Sequence, residues 1–92
     1  MRLKTTLTAV ALVVASATPA LATVVNTGGG KWDYGVGSGI VWSNYYHNIT
    51  CHSSSVQGDY WSSSGNVGAG EWSYASATDK WAGNESYWSK GC

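Results

Sequence analysis

The chain has 92 residues, a formal net charge of zero, six tryptophans, six tyrosines and no phenylalanine. A neutral chain of this length is one small domain without the basic excess that binding to nucleic acid or an anionic membrane surface requires. It is also too short to build both a core and a deep substrate cleft, and it is read as a non-enzyme without cofactor.

The first 22 residues are read as a signal peptide. Arg2 and Lys4 open it, an apolar run spans Leu7 to Ala17, and Thr18-Pro19 breaks the run before Ala20-Leu21-Ala22. A small-x-small cleavage site after an apolar run well short of the ~20 residues that span a bilayer is the layout of an export leader, and it puts the cut between Ala22 and Thr23. All the leucines and the only methionine precede that cut. The remaining chain keeps Lys31, Lys80 and Lys90 against Asp33, Asp59, Glu71, Asp79 and Glu85, a mildly acidic balance. Its core is expected to be built from aromatic rings, with Trp32, Tyr34, Trp42 and Trp72 inside and some of Trp61, Trp81 and Trp88 at the surface.

Residues 23–30 carry Val24 and Val25 and then three glycines, and read as a flexible lead-in. The β domain proper is placed at residues 31–92. Trp32, Tyr34 and Val36 alternate with Asp33 and Gly35, the period of a half-buried strand. Gly37-Ser38-Gly39 signals a turn, so Ile40 to His47 forms a hairpin with the first strand. Thr50 to Val56 reads as a third strand, Tyr60-Trp61 as an aromatic island before a Ser/Gly loop, Glu71 to Thr78 as a fourth strand, and Glu85 to Ser89 as the last. No stretch has the spacing of a helix. The expected fold is all-β, a small antiparallel sandwich.

Cys51 and Cys92 are the only cysteines, and in an exported chain they are expected to pair. Closing a loop of about 40 residues removes denatured-state entropy worth about 3 to 4 kcal/mol. His47, Cys51 and His52 lie close in sequence but lack a fourth ligand, and Cys51 and His52 point to opposite strand faces, so no metal site is assigned. Tyr45 shares strand parity with His47, and His52 with Ser54, so each pair is a candidate polar binding face. No serine sits in a nucleophile-elbow pattern, and nothing in the carboxylate spacing selects a catalytic pair.

Trp32-Asp33-Tyr34-Gly35-Val36, Trp42-Ser43-Asn44-Tyr45-Tyr46-His47, His52-Ser53 with Val56, and Ala69-Gly70-Glu71-Trp72 follow one another in an order that resembles the lactococcin 972 family of secreted bacteriocins. The resemblance implies a leader-cleaved antibacterial β-sandwich that binds the cell-wall precursor lipid II and blocks septum formation in related bacteria, without making pores. Asn44, Tyr45, His47 and His52, read from strand parity and polarity, are the candidate binding residues. The cysteine pair departs from the family's type member, and Gln57 to Gly68 match poorly. The competing reading is a secreted carbohydrate-binding or adhesion module, since exposed rings among small polar residues suit sugar faces equally well.

Overall fold

The computed structural model describes residues 9–13 and 21–92. Its strands are β1 (Ala9–Val13), β2 (Leu21–Thr27), β3 (Gly30–Gly37), β4 (Ile40–Tyr46), β5 (His52–Gln57), β6 (Trp61–Ser63), β7 (Trp72–Thr78) and β8 (Asn84–Lys90). They form two four-stranded antiparallel sheets, ordered β1-β8-β5-β6 and β2-β3-β4-β7, packed as a sandwich. The expected all-β class and the expected β3–β4 hairpin are both present. Arg2, Lys4 and Thr18-Pro19-Ala20 lie outside the described residues.

The lead-in expected over residues 23–30 is instead ordered in a strand. β2 pairs with β3 from Leu21 opposite Val36 to Thr27 opposite Gly30, leaving Gly28-Gly29 as a two-residue loop. Both glycines have positive φ, 63° and 82°, as a type I′ turn requires, and this turn matches the twist of the strands it joins. The glycines that suggested mobility are therefore what folds the hairpin. Ser38-Gly39 repeats the device between β3 and β4, with φ of 53° and 86°. The aromatic island also extends further than expected: Trp61–Ser63 pairs with Ser55–Gln57 as the edge strand β6.

The interior differs from an all-aromatic core. Along β7 the buried side is Ser73, Ala75 and Ala77, while Trp72, Tyr74 and Ser76 face outward. Along β4 the buried side is Val41, Ser43 and Tyr45, with Trp42 and Asn44 outside. Trp32 is buried as expected and Tyr34 shares its face, but Trp42 and Trp72 are half-buried rings on the outer surface. The reason lies in how closely the sheets approach. Val36, Val41, Val56, Ala75 and Ala77 form one end of the core. Elsewhere inward serines reach across the gap: the Ser43 hydroxyl donates to the Tyr87 carbonyl at 2.7 Å, and Ser86 donates to the Trp42 carbonyl at 3.0 Å. Ser54 and Ser73 join hydroxyl to hydroxyl. A side chain with one heavy atom beyond Cβ spans the gap only when the sheets lie close, so bulky rings are excluded from those positions. Each of these four serines is hydrogen-bonded, which offsets the desolvation of its hydroxyl.

The expected disulfide joins Cys51 to Cys92 across a Cα separation of 5.7 Å. The Gly91 N–H donates to the Cys51 carbonyl at 2.7 Å, so backbone and sulfur together hold the C-terminus against the start of β5. At the surface, Trp81 is 93% exposed and Trp61 is 55% exposed. Trp88 turns inward and stacks on Tyr45, with ring centroids 4.8 Å apart.

Candidate functional site

β4 carries most of the expected site residues, and the twofold period of the strand divides them. Tyr45 and His47 do share a face, as do His52 and Ser54, but both pairs point between the sheets: Tyr45, His47 and His52 are 0%, 6% and 1% exposed. The polar surface inferred from parity is therefore an internal network. It cannot touch a large ligand without opening the sandwich.

Within that network each side chain ties separate segments together. The Tyr45 hydroxyl donates to the Thr27 carbonyl at 2.8 Å, fastening β4 to the β2–β3 turn. Burial pushes its phenol up to about 12, against a smaller opposing pull from a hydrogen bond with the Gly30 backbone. His47 Nδ1 accepts the N–H groups of Ile49 and Thr50 at 3.1 and 3.2 Å. Its proton therefore sits on Nε2, which donates to the Gly28 carbonyl at 3.2 Å. His52 Nδ1 faces the Thr50 carbonyl at 2.9 Å and Nε2 faces the Glu71 carbonyl at 2.6 Å. Both contacts are hydrogen bonds at once only when both ring nitrogens carry hydrogen. The edge of the His52 ring meets Tyr45 at 5.7 Å. Cys51 is committed to the disulfide, and the nitrogens of both rings face backbone groups.

Asn44 lies on the opposite face of β4, half-buried, and its amide has no hydrogen-bond partner among the described residues. Register builds an aromatic surface around it. Asp33, Asn44 and Tyr74 stand in one row across β3, β4 and β7; Lys31, Tyr46 and Trp72 form the next, and Gly35, Trp42 and Ser76 the one beyond. Gly35 adds no side chain beside Trp42, whose indole donates to Asp33 Oδ1 at 3.2 Å. Tyr46 and Trp72 meet at 5.6 Å, and Trp72 stacks with Tyr74 at 6.5 Å. Between Ile40, Trp42, Asn44, Tyr74 and Ser76 lies a shallow hollow of about 470 Å³. A row of rings with polar tips beside a half-buried amide suits a ligand with both apolar and hydrogen-bonding parts.

Sequence reasoning placed Trp42 and Trp72 in the core and so missed this surface. The available signal was the alternation of Trp72, Tyr74 and Ser76 against Ser73, Ala75 and Ala77, with the inward side assigned by size rather than by hydrophobicity.

A family model described as Bacteriocin (Lactococcin_972) matches residues 28–88, more than half of the chain. The match spans β3 to β7 and most of β8, and so includes both the internal network and the outer face. No curated protein and no solved structure matches the chain.

Proposed function

The chain belongs to the lactococcin 972 bacteriocin family and is an antibacterial polypeptide of that class, and from that premise we propose that it is exported, binds lipid II outside the producing cell and blocks septum formation in related bacteria. Family membership carries this reading. The outer face of β3, β4 and β7 supports it: rings with polar tips sit well at the boundary of headgroup and hydrocarbon, where a lipid-linked precursor presents its polar part. Among the described residues no helix is long and apolar enough to cross a membrane.

Of the four binding residues expected from the sequence, Asn44 takes the direct contact in this proposal. Tyr45, His47 and His52 hold β4 and its flanking turns in place behind it. Cleavage between Ala22 and Thr23 would remove β1 and shorten β2 to Thr23–Thr27, leaving the Gly28-Gly29 turn and its adjoining pairs whole. Intact mass of the exported protein checks the cut.

The reading is tested with purified, disulfide-bonded protein beginning at Thr23 and with liposomes that contain or lack lipid II. Saturable binding restricted to lipid II vesicles, weakened by Asn44→Ala and Tyr74→Ala, is the expected result. A folded protein that binds neither vesicle removes precursor recognition. The carbohydrate-binding module would then be the better account.

A further inference from the structure

We propose that the outer face of the other sheet, on the far side of the sandwich from Asn44, carries a separate groove for uncharged pyranose rings of a saccharide. The groove has a volume of about 460 Å³, within the range of small-molecule sites, and its walls come from β5, β6, β8 and the C-terminus. Register assembles it: Ser53 stands opposite Ser89, Ser55 lies between Ser63 and Tyr87, and Gln57 between Trp61 and Glu85. Trp61 and Tyr87 form an aromatic wall with ring centroids 5.8 Å apart and planes tilted by 44°. Asn66 and the disulfide-held Cys92 close the groove.

The chemistry of the lining selects the ligand. The buried serines Ser43, Ser54, Ser73 and Ser86 are all hydrogen-bonded, whereas the groove hydroxyls of Ser53, Ser55 and Ser89 have no side-chain partner among the described residues. Each offers one donor and two acceptor positions, the same mixed capacity that sugar hydroxyls present. A lipid tail would strip water from those hydroxyls and give nothing in return. The lining holds no lysine or arginine, so a phosphate or carboxylate would find no cation among the groove side chains. Burial, reinforced by the hydrogen bond and the charge of Glu85, pushes the Tyr87 phenol up to about 12, so Tyr87 stays neutral and its ring adds no charge. An extended peptide would pair along the β8 edge that cleavage of β1 frees, whereas this groove lies on the sheet face beside that edge. Aromatic faces beside unpartnered hydroxyls match the C–H faces and equatorial hydroxyls of a pyranose.

Such rings occur both in the assembled wall glycan and in the headgroup of its precursor, and the groove does not depend on lipid II being the target. The probe is triacetylchitotriose, a soluble and uncharged pyranose oligomer, titrated into the disulfide-bonded protein and followed by amide and indole NMR shifts. Saturable shifts at Ser53, Ser55, Trp61, Tyr87 and Ser89 are expected. Trp61→Ala, a change at an exposed edge-strand residue, should weaken binding about tenfold. Ser53→Ala with Ser89→Ala, which keeps both rings, should weaken it about threefold or more. Val24→Ala, at an exposed position on the opposite sheet, should leave it unchanged. Absence of saturable shifts, shifts centred on Asn44, or full affinity in folded Trp61→Ala would each overturn the proposal. Isolated wall sacculi and lipid II vesicles then separate the sources: the arm in which Trp61→Ala loses binding identifies the one the groove reads.

Discussion

At the scale of single residues, burial of polar groups is the dominant theme, and its consequences are measurable. Tyr45 and Tyr87 have phenols raised from 10.0 to about 12, in both cases chiefly by burial. A raised phenol pKa favours the neutral form in the folded state. Its contribution to stability is therefore complete below pH 10 and is lost as pH rises from 10 towards 12. Alkaline unfolding followed by circular dichroism should begin in that window, with ionisation of these two phenols, read by tyrosinate absorbance, coinciding with loss of structure. Ionisation of both before any loss of structure would contradict the burial argument. The two inward tryptophans make a second comparison. Trp32 Nε1 donates to the Ser43 hydroxyl at 2.8 Å, whereas the buried Trp88 Nε1 has no partner among the described residues. Trp32→Phe removes a made hydrogen bond, while Trp88→Phe removes an unsatisfied donor. Urea unfolding should find the first variant less stable than the second by about 1 to 2 kcal/mol.

At the scale of elements, the β2–β3–β4 meander depends on two tight turns. Ser38 occupies a positive-φ position that asparagine tolerates better, and Asn-Gly is the preferred pair for a type I′ turn. Ser38→Asn should raise stability by about 0.5 kcal/mol. Ser38→Val, β-branched at the same φ, should lower it by about 1 to 3 kcal/mol. Thermal unfolding of the pair checks both signs. The β3–β4 turn was legible because Gly37-Ser38-Gly39 separates two alternating strands. The turn after β2 was not, because Gly28-Gly29-Gly30 reads equally well as a flexible linker until Val36 and Trp32 are seen to have partners in Leu21 and Val25. Local composition describes what a glycine permits, and only strand pairing decides which permitted conformation is used.

At the scale of the whole molecule, the disulfide joins the end of the chain to the start of β5 over a sequence separation of 41. Reduction should lower stability by about 3 to 4 kcal/mol, checked by denaturant midpoints of the oxidised and reduced protein, with an unchanged midpoint arguing that the loop is already constrained. The sequence alone determined the all-β class, the alternation and approximate limits of most strands, the pairing of the only two cysteines and the resemblance to a bacteriocin family, because each depends on local period, residue type or residue order. Only the tertiary structure decided which side of each strand faces inward. Size and polarity give opposite answers on β7, and the close approach of the sheets settles it: serine and alanine fit the narrow gap, and Trp42, Trp72 and Tyr74 are displaced to the surface. That one choice turns Tyr45, His47 and His52 from a candidate contact surface into an internal brace, and it exposes the rings around Asn44. Strand parity groups residues on a common face, but it takes the opposing sheet to say which face is the inside.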